Sequence, residues 1–156
     1  ACVLGAAQGL PWIGVLVAAL VVAWHLARAT QPRRELVLLA IAAAVGAVFE
    51  TLLVQAGWVR FETGVLVEGM APYWMVTLWV VFATTLNVSL RALRPHLLIA
   101  ALLGAIGGPA AYYAGARLGA LEFGAMGAAL VALAIGWAIL TPALLTAARR
   151  FDGYAR

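Results

Sequence analysis

The sequence predicts an all-α, polytopic transmembrane helical bundle, and three observations predict it. Hydrophobic residues make up 66% of the 156 residues and charged residues only 10%, against about 25% charged in an ordinary soluble domain. Five apolar stretches each approach the roughly 20 residues that a helix needs to cross a bilayer. The arginines, finally, fall at or between the ends of those stretches. That balance leaves almost nothing for a soluble domain, so residues 1–156 read as a single transmembrane domain whose function resides within the bundle or its short loops.

The elements follow in order. Residues 1–10 are apolar but too short to cross, and they begin without Met; they read as the tail of a further, sixth helix or as a loop and cap. The full spans are then Pro11 to Ala29, Leu36 to Val59, Tyr73 to Leu90, His96 to Ala116 and Phe123 to Ala148. In the second, Ala43, Gly46, Ala47 and Glu50 share one side, so the acid points at a neighbouring helix rather than at lipid. The fourth repeats Gly104, Gly108, Ala111, Gly115 and Gly119, and the last Gly124, Ala128, Ala132 and Gly136. Packing in lipid rewards close backbone approach, so these two spans are expected to meet along their small-residue faces. Pro109 and Pro142 inside helical runs predict kinks. Residues 60–71 form the one connection long enough to do more than turn, and predict a small hairpin or lid.

Loop charge orients the bundle. All ten basic residues are Arg, and eight of the ten, Arg28, Arg33, Arg34, Arg91, Arg94, Arg149, Arg150 and Arg156, alternate to one side. Arginine is retained on the cytoplasmic side, so a bacterial inner-membrane protein with a cytoplasmic C-terminus is expected. Trp12, Trp58, Tyr73, Trp74, Tyr112 and Tyr113 cluster at the other face, where amphipathic rings favour the headgroup layer. The net charge of +4 is carried by these short loops, which argues against nucleic acid as a partner. A single cysteine, Cys2, excludes an internal disulfide and a CxxC pair. His25 and His96 lie apart with no HxxxH or HxxE spacing, so neither a metal nor another cofactor is expected.

Glu50 is the position that composition singles out. A carboxylate costs roughly 2.5–3.5 kcal/mol at the centre of a membrane helix, so it normally faces protein or a cavity. It reads as the one acid buried within a span, and desolvation favours its neutral form. By rise per residue it lies roughly 20 Å from one end of its span and roughly 12 Å from the other, the depth at which Thr77, Trp79 and Tyr112 fall on theirs. Those three are its expected partners. Asn87 lies roughly 9 Å away in depth, in a second polar layer with His25, Thr84, Ser89 and Thr141. Each has a plain structural reading: Glu50 as a hydrogen-bonded strut, Asn87 as interhelical glue, His25 as an interfacial end residue, the hydroxyls bonded to their own helix.

The run from Pro72 through Tyr73-Trp74-Met75-Val76-Thr77-Leu78-Trp79 to Asn87-Val88-Ser89-Leu90 resembles a family of small bacterial inner-membrane proteins known as domain of unknown function 2878. Gly107-Gly108-Pro109-Ala110-Ala111-Tyr112-Tyr113 and Ala1-Cys2-Val3-Leu4-Gly5-Ala6-Ala7 fit the same pattern. The resemblance covers nearly the whole chain and implies a sixth helix that begins before residue 1. It implies an acid at the Glu50 position and polar residues from Thr84 to Ser89, with no reaction attached. It also implies an association with enzymes that modify unsaturated acyl chains of phospholipids.

Three functional classes follow. The first is a non-catalytic accessory of membrane lipid metabolism or envelope stress, which binds membrane lipids or a membrane enzyme partner around Glu50, Trp79 and Tyr112. The second is a small proton-coupled transporter or permease that uses Glu50. An intramembrane enzyme comes last, because no Ser/His, HExxH or paired-acid constellation is present. Small-residue faces left exposed would also permit a homodimer.

Overall fold

A computed structural model describes residues 1–154; Arg156, one of the arginines used to orient the bundle, lies outside the described residues. Six helices run α1 Cys2–Ala7, α2 Pro11–Arg28, α3 Pro32–Gln55, α4 Tyr73–Leu86, α5 Leu97–Arg117 and α6 Met126–Arg150, with a 3₁₀ turn over Ser89–Leu93 between α4 and α5. Proline opens both α2 and α3, where its missing N–H costs nothing and its fixed φ suits the first turn. Two-residue strands β1 Val59–Arg60 and β2 Glu122–Phe123 pair antiparallel, Val59 opposite Phe123 and Arg60 opposite Glu122.

Four helices, α2, α3, α5 and α6, are long and apolar enough to cross a membrane. The expected third span is shorter than its apolar stretch. The 14 residues of α4 rise about 21 Å, short of the roughly 30 Å hydrocarbon core. The polar run at its end explains this. Thr84 and Thr85 donate to the carbonyls of Val81 and Phe82, at 2.7 and 2.6 Å, and such local bonds compete with the α-helical ladder. Asn87 caps α4, and the 3₁₀ turn follows it.

Helices α5 and α6 form the most extensive pair, followed by α3 with α4 and α1 with α2; α2 also lies along α4. Between α5 and α6, Gly104 and Gly108 of α5 meet Trp137 rather than glycines of α6. A Cβ on Gly108 would enter the Trp137 ring of α6, and one on Gly104 would strike the Trp137 carbonyl. Gly136, expected on the α5 face, instead accommodates Phe49 of α3. Pro109 and Pro142 stand inside α5 and α6 as expected.

The connection over residues 60–71 pairs through β1 with the loop after α5, not with itself. Its middle folds over the helix ends. Thr63 and Gly64 offer their carbonyls to Trp74 Nε1 at 2.9 Å and to the Tyr73 N–H at 3.0 Å, and the Thr63 hydroxyl donates to the Ala6 carbonyl at 3.1 Å. Gly64 has φ +74°, which a residue with a Cβ adopts at a cost, and a Cβ there would also crowd the Trp74 ring.

Candidate functional site

Glu50 is fully buried on α3. Its Oε1 accepts hydrogen bonds from Trp79 Nε1 of α4 at 2.8 Å and from the Tyr112 hydroxyl of α5. Its Oε2 has no hydrogen-bond partner among the described residues. Room for this comes from Gly46, one turn earlier, because a Cβ there would occupy the space of the Trp79 ring. The indole is fixed from both sides: Phe49 meets it edge-on at 5.9 Å, and Trp137 of α6 stacks on it at 4.6 Å with planes 17° apart. Four helices therefore converge on one carboxyl. Two neutral donors face it, and among the described residues no second acid, histidine or arginine bonds to it. The arrangement holds a hydrogen-bond acceptor in place.

Of the residues expected at this depth, the structure brings together Glu50, Trp79 and Tyr112. Thr77 donates to the Tyr73 carbonyl of its own helix at 2.9 Å and takes no part. Asn87 belongs to a different cluster.

Beside the carboxyl, α4 and α5 have little direct contact, and the space between them is a furrow with α6 as its floor. Its part nearer Glu50, about 210 Å³, is walled by Trp74, Leu78, Trp79, Tyr112 and Trp137 among others. A second part, about 260 Å³, is walled by Leu90, Leu93, Gly104, Gly107 and Thr141. Phe82, Ala111 and Trp137 line both, so the two parts adjoin. The walls are overwhelmingly apolar. Two polar atoms of the floor, Trp137 Nε1 and Thr141 Oγ1, are buried without a hydrogen-bond partner.

Glu50 is not the one acid buried within the bundle. Glu35, in the first turn of α3, is also fully buried, about four helical turns before Glu50. Its Oε1 accepts from Asn87 Nδ2 at 2.6 Å and from the Gly153 N–H at 2.7 Å, and His25 Nε2 lies 2.8 Å from its Oε2. His25 is correspondingly buried rather than interfacial. The Asn87 carbonyl accepts from Arg94, whose other nitrogen meets Asp152 Oδ2 at 2.8 Å; Arg91 reaches the same oxygen at 2.7 Å. Tyr154 donates to the His25 carbonyl at 2.6 Å, and the Gln31 N–H and Thr30 hydroxyl both meet the Gly153 carbonyl at 2.9 Å. The chain after α6 is thus threaded into the arginine-bearing end of the bundle.

Burial alone would raise the Asp152 carboxyl, but hydrogen bonds from Arg94 and the Tyr154 N–H, with the charges of Arg94 and Arg91, hold it below its ordinary 3.8. Burial, reinforced by the nearby Glu35 and opposed by Arg28, raises the Tyr154 phenol, which keeps it a donor. The sequence offers one signal for this cluster: Glu35 is an acid set directly against the apolar run that starts at Leu36. Among the described residues no group of three or more His, Cys, Asp or Glu side chains is placed to hold a metal ion.

Comparison with known proteins adds one finding. The family model described as protein of unknown function (DUF2878) matches residues 1–143, a range that includes both buried glutamates and the furrow but not Asp152 to Tyr154. No curated protein and no solved structure matches the chain.

Proposed function

The chain belongs to the DUF2878 family, a membership that brings no reaction, and from that premise and its apolar helices we propose that this protein is a non-catalytic accessory of membrane lipid metabolism that takes up the apolar chain of a membrane lipid between α4 and α5. The observation that carries the reading is the furrow. Its two adjoining parts, about 210 and 260 Å³, together fall in the range of about 300–1,000 Å³ typical of ligand sites. Apolar walls with a few convergent polar groups suit an amphiphile. An apolar chain can enter such a furrow sideways from the bilayer without crossing water. In this reading Glu50, Trp79 and Tyr112 stiffen one wall, since ring and carboxyl hold each other in place.

The distribution of arginine supports a bacterial inner-membrane location with the arginine-bearing end in the cytoplasm. A lipid so presented would serve a membrane enzyme partner or a second copy of this chain docking at the open side.

The test is whole-cell lipid mass spectrometry on a strain lacking the gene, complemented at matched expression by wild type or by Ala111→Trp. Ala111 is exposed and lines both parts of the furrow, so the indole fills the furrow without entering the core. The lipid profile is expected to change on deletion and to be restored by wild type alone. An unchanged profile would sink the proposal and favour a proton-coupled transporter. A protonmotive flux in proteoliposomes that disappears with Glu50→Gln would then be sought.

A further inference from the structure

Taking as its basis the reading that the furrow holds a lipid chain, we infer that its occupant is an anionic glycerophospholipid, with the phosphate at Arg91 and an ester carbonyl at Trp137 and Thr141. The first argument is position. Leu90 and Leu93 line the furrow's lower part, and Arg91 stands between them on the same 3₁₀ segment, where the furrow reaches the arginine-bearing end. Arg94 also bonds the Ala148 carbonyl at 3.3 Å, on the same helix as Thr141 and roughly 10 Å further along it. One lipid reaches both ends of that stretch, its phosphate at Arg91 and its ester among the apolar walls.

The second argument is charge. Asp152 takes both guanidiniums on a single oxygen, and Arg94 turns inward to the Asn87 amide that also bonds Glu35, which leaves Arg91 as the arginine facing outward. Arg91 is 46% exposed and keeps outward N–H groups for an anion. Arginine suits phosphate because its planar fork of donors matches the oxygen spacing.

The third argument is the pair of unsatisfied groups in the floor. Thr141 is 5% exposed, lines the furrow, and has a hydroxyl with no partner. The Trp137 indole, one helical turn earlier on the same face, can only donate. A donor-only group beside a hydroxyl calls for an acceptor, and the acceptor a glycerophospholipid carries just below its phosphate is the ester carbonyl. Burying such groups unmet costs free energy that a seated carbonyl would recover.

The experiment is native mass spectrometry of delipidated full-length protein in nonionic detergent, offered equal amounts of phosphatidylglycerol and phosphatidylcholine with identical chains. Wild type is expected to retain phosphatidylglycerol in preference by roughly fivefold, the effect of one arginine near an anionic headgroup. Arg91→Gln, at a half-exposed position that carries little of the fold, is expected to remove the preference while total binding persists. Thr141→Val is expected to weaken both lipids alike, and Ala111→Trp to abolish both. Equal retention of the two lipids by wild type, or an undiminished preference in Arg91→Gln, would overturn the anionic assignment while leaving the furrow reading intact. Binding unaffected by Ala111→Trp would overturn both.

Discussion

Glu35 and Glu50 stand on one helix and are equally buried, yet their neighbours differ in kind. Around Glu50 both donors are neutral side chains aimed at a single oxygen, and the other oxygen meets nothing. Around Glu35 both oxygens are engaged, and one of the donors is the main chain after α6, so the acid ties together α2, α3, the end of α4 and the C-terminal segment. The first arrangement fixes a wall of the furrow. The second closes one end of the bundle, and its charges continue outward through Arg94 to Asp152. A buried acid in a membrane bundle is therefore no single class of feature: what surrounds it decides between a local brace and a long-range tie.

The largest separation between the two should come from Glu35→Ala. It strands His25, the Asn87 amide and the Gly153 N–H together, and each buried group left without its partner costs about 1–3 kcal/mol. Thermal unfolding in detergent should show it, and a loss no larger than that of Glu50→Gln would erase the distinction.

Asp152→Asn comes next, at about 1.5–3 kcal/mol for charge-assisted hydrogen bonds, most of it from Arg94, since Arg91 is half exposed and such pairs contribute little. The sign with pH follows from the lowered folded value. The carboxylate's contribution is complete above the unfolded value near 3.8 and is lost as pH falls through the lower folded one. The deficit of the variant should therefore be constant around neutrality and close in acid below 3.8; a deficit independent of pH down to acid unfolding would remove Asp152 from the tie.

The smallest effect on stability is expected from Glu50→Gln. The amide oxygen still accepts from Trp79 and Tyr112, so the change should lie within about 1 kcal/mol, with tryptophan fluorescence little altered. A collapse of the fold would show that the charge at Glu50, and not its hydrogen-bonding shape, holds the wall.

How much of this was readable beforehand depends on what helical periodicity encodes. Depth and face follow from it, which is why Trp79 and Tyr112 could be matched to Glu50 by counting residues. Thr77 sat at a similar depth but bonds to its own helix, a choice that depth cannot distinguish. The third span came out too long because apolar composition continues past Leu86, while the hydroxyls of Thr84 and Thr85 end the α-helix there. Glu35 was passed over because a charged residue beside Arg33 and Arg34 resembles any solvated turn until the chain from the far end of the sequence folds onto it.

Composition, apolar run length and arginine placement are properties of each stretch alone, because a helix in lipid must satisfy its own backbone and bury no charge unaided. They were sufficient for a membrane bundle, four of its five expected spans and its one mid-span acid. Which helices are neighbours is a different matter, since lipid and protein interior are equally apolar and nothing in a stretch's hydrophobicity names its partner. The gap between α4 and α5, the glycine-to-indole contacts and the return of Gly153 to Glu35 across 118 positions of sequence exist only once the helices are packed. Both the furrow and the tie at its end belong to that packing.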